Sequence, residues 1–111
     1  MKLTTHDIGA VSVLTLDGTM LGGPDAAEIN NTLHKMIDAK KKKVVIDLGA
    51  VSLMNSSGLG ILIGGVTTMR NAGGDLKLAA VSPKVMNLLT ITKLMNVFEV
   101  YDTVKKAVAS Y

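Results

Sequence analysis

Three consecutive polar residues, Asn55, Ser56 and Ser57, stand between two apolar segments and are the best candidates for chemistry in this chain. Residues 44–48 before them predict a buried strand, and the glycine-rich apolar residues after them predict a helix. A serine at such a helix start lies beside unpaired backbone N–H groups and the positive end of the helix dipole, which favour an anion. The pattern predicts either an ordinary N-cap at Ser56 or an acceptor for a reversible phosphoryl group, and local geometry alone favours the cap.

No other set of residues has the spacing of an active site. Asp47 lies in the predicted strand without a histidine or a second carboxylate nearby, so we expect it to bind loop amides. His6 and His34 lack metal-ligand spacing to another His, Asp or Glu. Ser56 lacks the full Gly-x-Ser-x-Gly context and the nearby histidine of a nucleophile elbow, and no complete glycine-rich nucleotide-binding motif is present. We therefore expect no enzymatic activity, no cofactor and no metal.

The composition predicts one aliphatic domain covering residues 1–111. Hydrophobic residues make up 48% of the chain, aromatic residues only 3%, and there is no cysteine. The absence of cysteine fits a reducing cytoplasm, and the first residues do not have the pattern of a signal peptide. Residues 48–69 carry no charge, yet the polar turn near their middle and the shortness of the apolar part argue against a membrane span.

Four consecutive lysines, Lys40 to Lys43, supply much of the formal net charge of +3. Such a run occurs where a protein binds an acidic partner or nucleic acid, and also in plain solvated loops. No aromatic residue accompanies the run to stack on bases, so the sequence favours a solvated loop between a helix and a buried strand. We expect no direct contact with nucleic acid.

Strands and helices alternate after an opening hairpin, which predicts an α/β domain with a mixed sheet of about five strands and about four helices. Gly18 is expected to begin an irregular segment that runs to Gly23. Gly60 and Gly64 lie one helical turn apart, a spacing that lets another backbone approach closely. The predicted strands are residues 3–5, 11–17, 44–48, 76–81 and 97–100, and the predicted helices begin at Pro24, Ser57, Pro83 and Asp102.

The apolar strand followed by Asn55-Ser56-Ser57-Gly58-Leu59-Gly60 resembles the STAS domain, in particular the small anti-sigma factor antagonists. In that family Asp-Ser-Ser/Thr-Gly-Leu-Gly opens the second helix, and the first serine of the pair is phosphorylated. The resemblance covers nearly the whole chain. It favours a phosphorylation site at Ser56 over a plain N-cap. It implies phosphorylation at Ser56, with Ser57 as the second candidate and Asn55, Ser57 and Gly58 shaping the turn.

Two positions depart from the family pattern. Asn55 replaces the usual Asp before the serine, and Leu21 replaces the Asp of a Gly-x-Leu-Asp motif after the second strand. Both acidic positions near the expected phosphosite are therefore neutral. Loss of a carboxylate removes any help it gives in orienting the serine, and loss of negative charge also eases the accommodation of a phosphoserine.

The resemblance implies partner switching in the cytoplasm. The unphosphorylated chain would bind an anti-sigma factor that is itself a serine kinase and so release a sigma factor. The kinase would use ATP to phosphorylate Ser56 and end binding, and a metal-dependent serine phosphatase would restore it. We expect two parts of the chain to contribute to the partner surface. Met20, Leu21, Gly22 and Gly23 should form an exposed apolar loop, the apolar lip, and Ile61 lies off the buried face of the second helix.

A second hypothesis belongs to a different class of function. STAS domains also serve as constitutive subunits, for example bound to the ATPase of a lipid transporter or within a signalling scaffold. The neutral residues Leu21 and Asn55 are compatible with such a phosphorylation-independent adaptor.

Overall fold

A computed structural model describes all 111 residues as a five-stranded sheet with helices on both faces. The sheet order is β1-β2-β3-β4-β5, in which β1 pairs antiparallel with β2 and every other pair is parallel. The elements in chain order are β1 (Lys2–Ile8), β2 (Val11–Met20), α1 (Pro24–Asp38), β3 (Lys43–Met54), α2 (Ser56–Asn71), β4 (Asp75–Ala79), α3 (Pro83–Ile91), a 3₁₀ turn (Met95–Val97), β5 (Val100–Tyr101) and α4 (Val104–Ala109). This confirms the predicted fold class.

The main core lies between one sheet face and helices α1, α2 and α3. Strand β3 is buried on both of its faces. Val44 and Ile46 face this core, and Val45 faces the opposite side. On α2 the buried residues follow a helical period, with Leu59, Leu62, Val66 and Met69 toward the sheet. Helix α4 covers the second face through Ala107, which packs with Val11, Val13, Val45 and Ala79.

Strands β2 and β3 extend beyond the rest of the sheet, and this extension positions the candidate site. Strand β4 pairs with β3 only from Lys43 to Asp47, whereas β2 pairs with β3 as far as Met54. We call the projecting part, residues 17–20 and 50–54, the β2–β3 ribbon. It leads directly into the turn before α2.

Several predicted boundaries are wrong. Residues 18–20 belong to β2, because they pair with β3 through two register shifts at the ribbon. Strand β4 ends at Ala79, since Ala80 adopts a left-handed conformation with φ of 55°. Of the predicted strand at residues 97–100 only Val100 lies in a strand, the two-residue β5, while Val97 ends the 3₁₀ turn. Helix α4 begins at Val104, two residues later than the predicted start at Asp102, because the Thr103 hydroxyl caps it.

Candidate functional site

Asn55 is the N-cap of α2. Its side-chain Oδ1 accepts a hydrogen bond from the Gly58 backbone N–H at 2.9 Å, and its backbone carbonyl accepts from Leu59 N–H at 3.0 Å. Its Nδ2 also donates to the Leu21 carbonyl at 3.3 Å, a bond that an aspartate could not make. The alternative that Ser56 is the N-cap is therefore wrong, since Asn55, one position earlier, is the cap.

Capping by Asn55 leaves both serine side chains available. Ser56 and Ser57 are the first two residues of α2, both are exposed, and neither hydroxyl makes a hydrogen bond. Their N–H groups precede the first helical bond, so the positive end of the helix lies at Ser56. The first turn of α2 contains no acidic residue, and nothing there repels an added anion.

The β2–α1 connection packs tightly against this turn. A methyl group built on Gly58 would overlap the carbonyl oxygen of Met20, so the two segments approach more closely than any side chain permits. Gly22 has a φ of 102°, and a methyl group built on it would lie 3.1 Å from the Ser57 Cβ. The structure thus brings Gly22, Gly58 and the serines together, as the sequence predicted for neighbouring strands.

The apolar surface beside the turn differs from the predicted lip. Met20 is fully buried because it pairs with Met54 at the end of the ribbon and points into the core, so its expected exposure is wrong. Leu21 is 46% exposed, and Gly22 and Gly23 follow it in the loop. Leu53, which the sequence analysis missed, is 47% exposed and lies opposite Thr19 at the same end. Two leucines therefore expose apolar surface near the turn: Leu21, whose carbonyl accepts the Asn55 amide bond, and Leu53, two residues before Asn55.

A groove between α1 and α2 continues from the turn along the surface. It has a volume of about 510 Å³ and includes Ser57 and the half-buried Ile61. Small residues form much of its wall: Ala26 and Ala27 on α1, and Gly60 and Gly64 on α2. No atom of this chain lies within 4 Å of a methyl built on Gly60 or Gly64, so the expected close approach of a backbone there does not occur within the chain.

The remaining sequence candidates stay apart from this turn. Asp47 Oδ1 accepts the Gly49 N–H at 2.9 Å, and because Gly49 lies within β3, the carboxylate binds an amide of its own strand and not the expected loop amides. His6 and His34 are exposed, and no group of three or more His, Cys, Asp or Glu side chains has the arrangement of a metal site. None of the helices is both long and apolar enough to span a membrane.

The family follows from comparison with known proteins. The family model for the STAS domain matches residues 2–107. The chain belongs to the STAS domain family. A relative from Bordetella bronchiseptica, named as an anti-sigma factor antagonist, BtrV, is 26% identical over all 111 residues of this chain and 95% of its own length.

Solved structures of this STAS domain's relatives share the fold at low sequence identity. The TM1081 protein of Thermotoga maritima has a TM-score of 0.87 at 18% identity, covering 97% of this chain and 92% of its own. The anti-sigma factor antagonist SpoIIAA, in its unphosphorylated form, has a TM-score of 0.72 at 17% identity, covering 98% and 96%. Its phosphorylated form from Bacillus has a TM-score of 0.73, also at 17% identity, covering 98% of both chains. The order of elements is therefore that of the STAS fold.

Proposed function

We propose that this STAS domain is an anti-sigma factor antagonist whose binding is switched off by phosphorylation of Ser56. The observation that carries the proposal is the exposed, unpartnered Ser56 at the first position of α2, directly after a turn capped by Asn55. The names of BtrV and SpoIIAA support the antagonist role. The proposed setting is the cytoplasm, where ATP is available to a kinase.

The partner surface consists of the turn, the two exposed leucines and the adjoining groove. Leu21 and Leu53 offer exposed apolar area near the Ser56 turn, and Ile61 offers more within the groove. Burial of such area stabilises a complex by about 25 cal/mol for each Å² of apolar surface removed from water. Ser56 is exposed in the turn directly after β3, so we expect a partner on this surface to cover the Ser56 hydroxyl as well.

A phosphate on Ser56 would oppose that contact. It adds a charge of about −1.5 to −2 and three acceptor oxygens at a site that the partner would dehydrate. The helix N-terminus stabilises the phosphate on the free protein, whereas an apolar partner surface offers it no compensating donors. Each 1.4 kcal/mol lost weakens affinity about tenfold, so a few kcal/mol suffice to end binding.

The proposed partner is a serine kinase that supplies the reactive groups missing here. The Ser56 oxygen attacks the γ-phosphorus of ATP, the bond from that phosphorus to the β–γ bridging oxygen breaks, and ADP leaves. The serine proton passes to a base on the kinase, because the Asn55 amide is not basic. A metal-dependent phosphatase then hydrolyses the phosphoserine with a metal-activated water and regenerates the free hydroxyl.

The experiment is a paired capture from host lysate, with wild-type and Ser56→Asp proteins as baits. We expect the wild type to capture a serine kinase that also binds a sigma factor, and Ser56→Asp to lose it. The purified kinase with ATP should then add one phosphate to the wild type, which peptide mass spectrometry should locate on Ser56. Ser56→Asn is the matched control, because it introduces a side chain of the same size as aspartate without the charge and should keep more of the binding than Ser56→Asp.

Two results would contradict the proposal. Phosphate located on Ser57 in the wild type would move the switch to the neighbouring residue. Equal capture of the same partner by wild-type and Ser56→Asp baits would remove the switch. If that partner were a transporter ATPase, the result would support a phosphorylation-independent adaptor, with which the neutral residues Asn55 and Leu21 are compatible.

A further inference from the structure

The positive charge of this STAS domain is concentrated at one end. We call this end, where α1 and α2 finish and β3 begins, the basic pole. Six cations lie there, namely Lys35, Lys40, Lys41, Lys42, Lys43 and Arg70, together with three carboxylates, Asp7, Asp38 and Asp75. The remaining six cations are balanced by the remaining six carboxylates. The whole formal net charge of +3 therefore belongs to the basic pole.

Most cations of the pole have no carboxylate partner. Lys41 pairs with Asp7 at 2.8 Å, and Arg70 pairs with Asp75 at 3.2 Å. The Lys41 ammonium and the Ser12 hydroxyl hold the pKa of the Asp7 carboxyl below its usual range, so this pair stays ionised. The other four lysines of the pole are exposed, and no carboxylate oxygen lies within 4.0 Å of their ammonium groups.

One of these lysines stands where glycine would fit better. Lys40 follows the end of α1 in the left-handed conformation, with a φ of 61°. The Lys41 N–H reaches back to the Met36 carbonyl at 2.7 Å, which is the helix-ending arrangement that usually has glycine at this position. The run of four lysines therefore includes one position, Lys40, whose backbone conformation disfavours any side chain.

An apolar hairpin tip adjoins the lysines. Residues 8–10 connect β1 to β2 at the same end, and Ile8 is 42% exposed. The Lys41–Asp7 pair joins this tip to the lysine run, so the two form one continuous surface. Exposed lysines around a small apolar projection suit a surface with many anionic groups and a shallow apolar layer beneath them.

We propose that the basic pole docks on anionic lipid headgroups at a membrane surface. The pole has no exposed aromatic side chain on which bases could stack, and the hollow of about 200 Å³ beside Lys35 is too small to follow a nucleic-acid backbone. The unpaired lysines are exposed and spread over the surface of the pole, which matches a diffuse lipid surface better than a specific acidic protein pocket. Strand β3 runs from the pole to the Ser56 turn, so docking leaves the partner surface free.

The test is co-sedimentation of the full chain with vesicles made of equal parts phosphatidylglycerol and phosphatidylcholine. The test variant replaces four lysines of the pole by glutamine (K35Q, K40Q, K42Q and K43Q) and leaves Lys41 on Asp7. The control replaces four exposed lysines elsewhere (K2Q, K84Q, K105Q and K106Q), so both variants lose the same charge. We expect binding to fall at least about tenfold in the pole variant and to change little in the control.

Three further measurements test whether binding depends on lipid charge, on salt and on the apolar tip. The wild type should not bind pure phosphatidylcholine vesicles, added salt should release it, and Ile8→Ser should weaken binding about threefold. Equal loss in both four-lysine variants would overturn the proposal, because net charge alone would then explain binding. Tighter binding to poly-glutamate or duplex DNA than to the anionic vesicles, at the same salt concentration, would also overturn it and assign the pole to that partner. Circular dichroism melts verify that each variant is folded.

Discussion

At the residue scale, Asn55 organises the candidate site through two side-chain hydrogen bonds. Its Oδ1 caps α2 at Gly58, and its Nδ2 holds the carbonyl of Leu21. The amide therefore joins the α2 start to the loop after β2, a connection that uses both its acceptor and its donor. The neutral residue at this position is thus a structural element of the turn, and it leaves Ser56 free.

We expect Asn55→Ala to lower the free energy of unfolding by about 1–2 kcal/mol, because it removes the cap and the bond to Leu21. Ser56→Ala and Ser57→Ala should change it by less than about 0.5 kcal/mol, since neither hydroxyl makes a hydrogen bond. Urea denaturation of the three variants measures these values. A loss in Ser56→Ala as large as that in Asn55→Ala would contradict the cap assignment.

The sequence predicted the position of this turn but not the division of roles within it. The strand, the polar residues and the glycine-rich helix placed Ser56 near a helix start, which the structure confirms within one residue. Asn and Ser are about equally good caps, so local pattern could not choose between them. Leu53 was missed because the pattern ended β3 at Leu48, and only the paired ribbon exposes it.

At the scale of elements, the glycines of α2 fall into two groups. Gly58 lies against the Met20 backbone, and Gly65 touches the side chains of Leu33 and Leu76. Gly60 and Gly64 face open space in the groove. Spacing along the sequence does not distinguish these groups, because it shows which glycines share a helix face but not what lies opposite them.

We expect Gly58→Ala to destabilise the protein by about 2 kcal/mol or more, because neither the helix nor the Met20 backbone can move aside easily. Gly60→Ala and Gly64→Ala should each stabilise it by about 0.5–1 kcal/mol, since alanine favours the helix and meets no neighbour. Thermal unfolding compares all three. A destabilised Gly60→Ala would mean that the groove is closed in solution.

Helix α4 is held to the sheet by polar contacts as well as by Ala107. Buried Lys77 donates to the Ser110 carbonyl at 3.1 Å and to its hydroxyl at 2.8 Å, and its ammonium lies 4.1 Å from the Tyr111 ring centre. The Tyr111 hydroxyl donates to the Val44 carbonyl at 2.6 Å and accepts from the Val44 N–H at 3.2 Å. The last helix is therefore fastened to the two central strands β3 and β4.

Burial, with a smaller contribution from the Asp75 charge, raises the pKa of the Tyr111 hydroxyl above its usual value. The raised pKa favours the neutral phenol in the folded state, so this contribution to stability is complete below about pH 10 and is lost as the pH rises further. Tyr111→Phe should lose about 1 kcal/mol at pH 7, and its difference from wild type should shrink above pH 10. Denaturation at a series of pH values measures this difference.

Tyr101→Phe is the matched control for Tyr111→Phe. The Tyr101 hydroxyl bonds only to the exposed Glu99 carboxylate, at 3.2 Å. Because Tyr111 is retained, this variant should keep the wild-type loss of stability at high pH. A difference between wild type and Tyr111→Phe that stays constant from pH 7 to pH 11 would contradict the role assigned to the Tyr111 hydroxyl.

At the scale of the whole molecule, the two proposed surfaces lie at opposite ends of β3. Lys43 begins this strand and Met54 ends it, a separation of at most roughly 36 Å at 3.3 Å per residue of extended strand. The sequence predicted the mixed sheet that creates the two ends, because alternating strands and helices force parallel crossovers. It could not reveal the charge asymmetry, since Lys35 and Arg70 join the lysine run only through folding.

This separation predicts that Ser56 switches a surface without altering the fold. Ser56→Asp places a carboxylate in the first turn of α2, which has no acidic residue, so stability should rise by about 0.3–1 kcal/mol. When Ser56→Asp is combined with the four-lysine variant of the basic pole, the changes should add within about 0.5 kcal/mol, because distant sites without shared contacts behave independently. Urea denaturation of the two parents and the combination measures this sum. Loss of stability in Ser56→Asp would instead indicate that negative charge acts by disrupting α2, and a non-additive combination would show that β3 couples the two ends.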